Sequence, residues 1–137
     1  MEFRSERELE RSAIPFLREQ CENYSWQVPL FNRVIDLVAI DKDGKILGIE
    51  FKLRDWKRAI KQALVNSNSF DFMYVCVPGG SYIDRLKEEA KEYGIGVMIY
   101  DPEIKTVKIE LRAQEISRQW WPNVRYVKKY IQTRRGI

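Results

Sequence analysis

Apolar and polar positions alternate along two neighbouring stretches, 33–40 and 45–52, and a period of two predicts β-strands. The segment between them, Asp41-Lys42-Asp43-Gly44, predicts a tight hairpin turn, because glycine supplies the positive φ that such turns need. Alternation sends Glu50 and Lys52 to one face and Ile49, Phe51 and Leu53 to the other. Upstream, Leu9, Ala13, Phe16 and Leu17 recur at helical spacing and predict a helix over 5–22. Ser5 is its cap, and Glu6 and Glu8 suit the positive end of its dipole. Pro15 must bend that helix or shift its start. Residues 24–28 form a short strand closed by Pro29.

Downstream of the hairpin, Trp56, Ala59, Ile60, Ala63 and Leu64 give the buried stripe of a helix over 56–66, capped by Asp55. A continuous apolar run within 70–77 reads as a central strand, ended by Pro78-Gly79-Gly80. A helix over 82–93 follows, with Ser81 as cap and Gly94 as stop. Strands over 96–100 and 105–111 come next, the latter alternating Val107, Ile109 and Leu111 against charged neighbours. This order predicts an α/β domain whose sheet mixes antiparallel and parallel pairs, flanked by helices. Residues 1–111 hold it, and 112–137 form a basic, aromatic C-terminal extension. In that extension 114–119 continues as a helix broken near Trp121-Pro122.

Composition narrows the chemistry. The 137 residues include no histidine, which excludes a histidine base, a histidine-assisted nucleophile and His-bearing zinc sites. Hydrolytic chemistry must then run on carboxylates, lysine and a hard cation such as Mg²⁺. Cys21 and Cys76 have no metal-ligand spacing and read as buried free thiols. No apolar run approaches the roughly 20 residues of a membrane span, and no signal-peptide core follows Met1, so a cytoplasmic protein is expected. The net charge of +4 is uneven: residues 112–137 carry seven Lys/Arg against one acid, net +6, leaving −2 for the rest. Such a tail fits a polyanionic partner, and it fits solubility alone equally well.

Two acids and an ammonium sit on strands apolar enough to be buried, a costly arrangement that calls for a partner or a cation. Asp36, thirteen intervening residues, then Glu50-Phe51-Lys52 resembles the motif of the PD-(D/E)XK nuclease superfamily. That is the restriction-endonuclease-like fold, which includes archaeal Holliday-junction resolvases. Ile35 stands where the motif's nominal proline would be. The resemblance extends to an acid-bearing first helix and to Gln62, ten residues after Lys52. It implies that Asp36, Glu50 and the Phe51 backbone carbonyl hold Mg²⁺, with Mn²⁺ as substitute, and that Lys52 faces the attacking water or scissile phosphate. Glu6 would complete the metal shell and Gln62 would orient Lys52 or touch the nucleic-acid backbone. Glu10 is the other first-helix candidate, and the sequence leaves that choice open. A homodimer is implied by the resolvases alone.

Arg33, Arg54, Lys57 and Arg58 flank the motif as candidates for phosphate contacts. So do Lys128, Lys129, Arg134 and Arg135 in the tail. Trp120, Trp121, Tyr126 and Tyr130 are placed to stack on bases or, the preferred reading for the tryptophans, to pack against the domain or a second copy. The function expected is metal-dependent hydrolysis of DNA phosphodiesters, in branched or otherwise structured DNA, with RNA open on these residues. Two alternatives stand beside it: a nucleic-acid-binding module without activity on the same fold, and an assembly subunit.

Overall fold

A computed structural model describes residues 3–30, 33–116 and 121–134; of 121–123 and 134 only the backbone is described. Trp120 and Arg135 thus lie outside the described residues, as do residues 117–119 of the expected tail helix and the side chains of Trp121 and Arg134. The elements run α1 (Glu6–Ser12), α2 (Ile14–Gln20), β1 (Cys21–Leu30), β2 (Arg33–Asp41), β3 (Ile46–Phe51), α3 (Trp56–Asn66), β4 (Phe72–Val77), α4 (Ile83–Tyr93), β5 (Gly96–Asp101), β6 (Thr106–Leu111) and α5 (Trp121–Arg134). Among the described residues six strands form one sheet in sequence order. Strands β1–β2, β2–β3 and β5–β6 pair antiparallel, whereas β3–β4 and β4–β5 pair parallel. The mixed α/β sheet is the one expected. No helix among the described residues is long and apolar enough to cross a membrane.

The hairpin forms where Asp-Gly places it. Gly44 takes a φ of 79°, its N–H donates to Asp41 O at 3.0 Å, and Asp41 Oδ1 accepts from Asp43 and Lys45 N–H. At α3 the Asp55 side chain accepts from Arg58 N–H, and Gly94 ends α4 at φ 73°.

Four expectations need correction. Pro15 does not bend one long helix; it begins a second, because its missing N–H costs nothing in a first turn. Ala13 closes α1 through its N–H to Glu10 O, and Thr106 Oγ1 bridges the break, donating to Ser12 O and accepting from Phe16 N–H. Pro29 does not close β1, which runs on to Leu30; β1 is an edge strand, where a missing donor is tolerated. Ser81 is not the cap of α4: Tyr82 holds that position, with no side-chain cap bond. Finally, the backbone of Trp121 and Pro122 is helical, within α5, where a break was expected. Residues 114–116 are not helical.

Each face of the sheet has its own core. Leu9 of α1, Leu17 of α2 and Ala13 between them cover Leu37, Ala39, Ile49, Phe51 and Cys76 on one face. On the other, α3, α4 and α5 cover Ile35, Val38, Ile46, Val75 and Val97. Cys21 and Cys76 are buried free thiols, as expected, and burial pushes the Cys76 thiol up. Val127 and Ile131 of α5 are fully buried in the second core. Ile131→Ala is therefore expected to cost about 2–5 kcal/mol, read as a lowered denaturant midpoint; a loss under about 0.5 kcal/mol would mean that α5 does not pack there.

Candidate active site

The site lies where the β2–β3 ladder stops. The last registered pair is Leu37 with Ile49, which leaves Asp36 opposite Glu50 at the open end. Unpaired backbone donors there need acceptors, and the two acids provide them. Asp36 Oδ2 accepts from Phe51 N–H at 2.9 Å, and Glu50 Oε1 accepts from Asp36 N–H at 3.4 Å. The two carboxylates are thereby held side by side. Glu50 is 4% exposed and Asp36 half-buried. Burial first, then the charge of Asp36, pushes the Glu50 carboxyl well above the usual carboxylate range, and Lys52 pulls it back in part.

Strand β3 ends at Phe51, so Lys52 is not within the strand as expected. Its N–H donates to Cys76 O at 3.0 Å, which continues the parallel pairing with β4 by one residue and fixes where the side chain leaves. The ammonium Nζ is 3.8 Å from Glu6 Oε2. Lys52, Glu6, Arg4, Arg54 and Arg58 line an open cleft of about 730 Å³. Arg58 also borders a second cavity of about 480 Å³, lined by Glu50, Gln62, Arg33 and Lys61.

Helix α1 supplies both candidate acids, one to each side. Glu6 meets Lys52, whereas Glu10, one turn on, lines the neighbouring cleft and feels the charge of Asp36. Burial first, then the charges of Asp36 and Glu6, raises the Glu10 carboxyl to about 7, with Arg7 opposing. Gln62 Oε1 is buried with no hydrogen-bond partner among the described residues, in the same cavity as Glu50. Such an orphaned acceptor calls for a donor or a cation.

The basic candidates divide. Arg54 and Arg58 line the cleft with Lys52. Arg33 borders the Glu50 cavity, but its Nη1 donates to Val65 O and Asn66 Oδ1, both at 3.0 Å, so it fastens the end of α3. Lys57 lies over the Trp56 ring at 5.7 Å and lines a groove with Arg85 and Glu88, which neither Asp36 nor Glu50 borders. Lys128 borders a groove with Gly44 of the hairpin turn, at the opposite end of β2 and β3 from Asp36 and Glu50. Lys129 is exposed on the same helix. Arg4 was missed by sequence reasoning; its only signal was its place just before the Ser5 cap of an acidic helix.

The donor set is all oxygen and lysine, which fits a hard cation. Two carboxylates held side by side, one of them almost fully buried, beside an orphaned amide oxygen, fit the same ion. Among the described residues no group of three or more His, Cys, Asp or Glu closes on one point. The remaining ligands would then be backbone carbonyl, water and substrate oxygens, the mix that Mg²⁺ favours.

No protein-family model and no curated protein sequence matches the chain at a significant level. Solved structures do. A protein of unknown function from Silicibacter pomeroyi is similar at TM-score 0.70 and 17% identity, over 98% of this chain and 88% of that one. A repair endonuclease from Pyrococcus abyssi is similar at TM-score 0.56 and 18% identity, over 74% of this chain. The chain has a nuclease-like α/β fold. At such identities the likeness speaks for the fold alone, and the aligned part is 49% of the Pyrococcus protein.

Proposed function

We propose that this chain is a divalent-metal-dependent endonuclease of the PD-(D/E)XK type, hydrolysing DNA phosphodiester bonds at the Asp36–Glu50–Lys52 centre. The observation that carries the reading is the pair of backbone-locked carboxylates at the end of the β2–β3 ladder, with an ammonium beside them. Asp36, Glu50 and the Phe51 carbonyl would hold Mg²⁺ or Mn²⁺. Such an ion activates a water and offsets charge building on the phosphate. Within the chain, the Phe51 N–H fixes the Asp36 carboxylate and the Asp36 N–H fixes Glu50, so the acids are set before substrate arrives. Lys52, steadied by Glu6, presents its ammonium to the phosphate or the attacking water, charge already in place when the transition state forms. Arg4, Arg54 and Arg58 give the cleft the positive lining a phosphodiester backbone needs. The repair endonuclease likeness supports a nucleic-acid substrate. A homodimer, which would let two strands be cut, belongs to the same proposal.

The test is incubation with Mg²⁺ or Mn²⁺ and a panel of linear, flapped and four-way DNAs, beside Asp36→Asn protein. Cutting of at least one DNA, lost in the variant and in EDTA, is expected; no cutting of any member counts against the proposal. Gln62→Leu sharpens it. Removing an orphaned buried acceptor should leave the melting temperature unchanged or slightly higher, while cleavage falls about tenfold. A variant that loses stability and keeps full cleavage would make Gln62 merely structural.

A further inference from the structure

Beside the carboxylates, on the α1 side, lies a third cleft of about 540 Å³ lined by Arg7, Glu10, Arg11, Ile14, Trp26 and Gln27. That volume suits a small organic group. Its chemistry is specific. Trp26 is half-buried, steadied by an edge contact with Tyr24 and a tilted contact with Phe51 at 5.9 Å. Arg7 and Arg11, one turn apart and exposed, lie on one face of α1. Glu10 lines the cleft beside them and feels the charge of Asp36.

Gln27 is the unusual residue. It takes φ 52°, a conformation costly for a residue with a Cβ and concentrated at ligand sites. Trp26 pairs with Leu37 and Val28 with Ile35, so the register sets Gln27 opposite Asp36, yet the two do not pair. Its exposed amide side chain lines the cleft, opposite one of the acids proposed to hold the metal. An aromatic face, an amide, a carboxyl and two guanidinium groups together match an unpaired nucleotide: the base on Trp26, its edge on Gln27 and Glu10, its phosphate on Arg7 and Arg11.

We propose that this cleft seats an unpaired nucleotide of the strand being cut, so that the protein selects substrates with a single-stranded or extruded base beside the scissile phosphate. The inference rests on the endonuclease reading and narrows its substrate. Its test is fluorescence anisotropy in EDTA with one labelled sequence as single-stranded DNA, single-stranded RNA and duplex DNA. Wild type is expected to prefer the DNA or RNA single strand over the duplex by at least fivefold, and the tighter of the two names the sugar that the cleft takes. Trp26→Leu should weaken single-strand binding by about 5- to 100-fold, the range of one lost stacking contact, and duplex binding less than twofold. If Trp26→Leu does not fold, Gln27→Gly, which suits the left-handed backbone, should still weaken single-strand binding selectively. Equal affinity for single strand and duplex, or variants that bind as wild type, would overturn the proposal. Cleavage assays on the same samples separate the two ideas. A Trp26-dependent preference without any cutting defeats the nuclease alone, and cutting with Trp26-independent binding defeats the cleft alone.

Discussion

Replacing Lys52 with alanine is expected to lower cleavage at least 10²- to 10³-fold, the scale of one preorganised charge lost from a transition state, while the fold is kept. The ammonium is partly exposed and its ion pair to Glu6, at 3.8 Å, is long. Surface pairs of that kind contribute about 0–1 kcal/mol, so the melting temperature should move little. Metal binding should also survive, since Lys52 is not a ligand. Single-turnover cleavage beside a thermal melt checks all of this. A Lys52→Ala protein that cuts like wild type removes lysine from the chemistry, and one that fails to fold makes it structural.

The second large effect is on stability and runs against function. Glu50 and Glu10 both carry raised pKa values in the folded chain. A carboxyl of that kind favours the folded state most fully below its ordinary value near 4.5. The benefit is lost as pH rises through the folded value, about 7 for Glu10 and also well above 4.5 for Glu50. The metal-free protein should therefore melt highest near pH 5 and progressively lower toward pH 8. Asp36→Asn keeps an oxygen for the Phe51 N–H and removes the charge that repels Glu50. At pH 8 it should be more stable than wild type by about 1 kcal/mol, a shift of a few degrees, although it no longer cuts. Mg²⁺ or Mn²⁺ should raise the wild-type melting temperature more at pH 8 than at pH 6, because binding then displaces fewer protons. A wild-type melting temperature that rises from pH 5 to pH 8 without metal, or an Asp36→Asn protein less stable at pH 8, would contradict the electrostatics described for the site.

Much of this was legible in the chain because it is local. The Asp-Gly turn, the Asp55 cap, the Gly94 stop and the alternation in β2 and β3 each act within a few residues, and together they bring Asp36 opposite Glu50. What the sequence withheld depends on where elements dock. Whether Glu6 or Glu10 reaches the site is set by the seating of α1 on the sheet, which brings both, to different partners. Flanking charge was a poor guide for the same reason. Lys57 and Arg58 are neighbours, yet one lies over Trp56 and the other lines the cleft; Lys128 sits by the hairpin turn. Pro29 and Pro122 misled because a proline's effect depends on its sheet edge or helix turn. The left-handed Gln27 left no trace in the sequence, since nothing in a glutamine announces a positive φ.

The cation site itself is tested most directly by calorimetric titration of Mn²⁺ into wild type, Asp36→Asn and Glu50→Gln at pH 8. Saturable Mn²⁺ binding by wild type, weakened at least tenfold in each variant and accompanied by proton release that grows as the pH is lowered, is expected. Wild-type protein that takes up no Mn²⁺, or variants that bind it as tightly as wild type, would contradict a metal centre at these carboxylates.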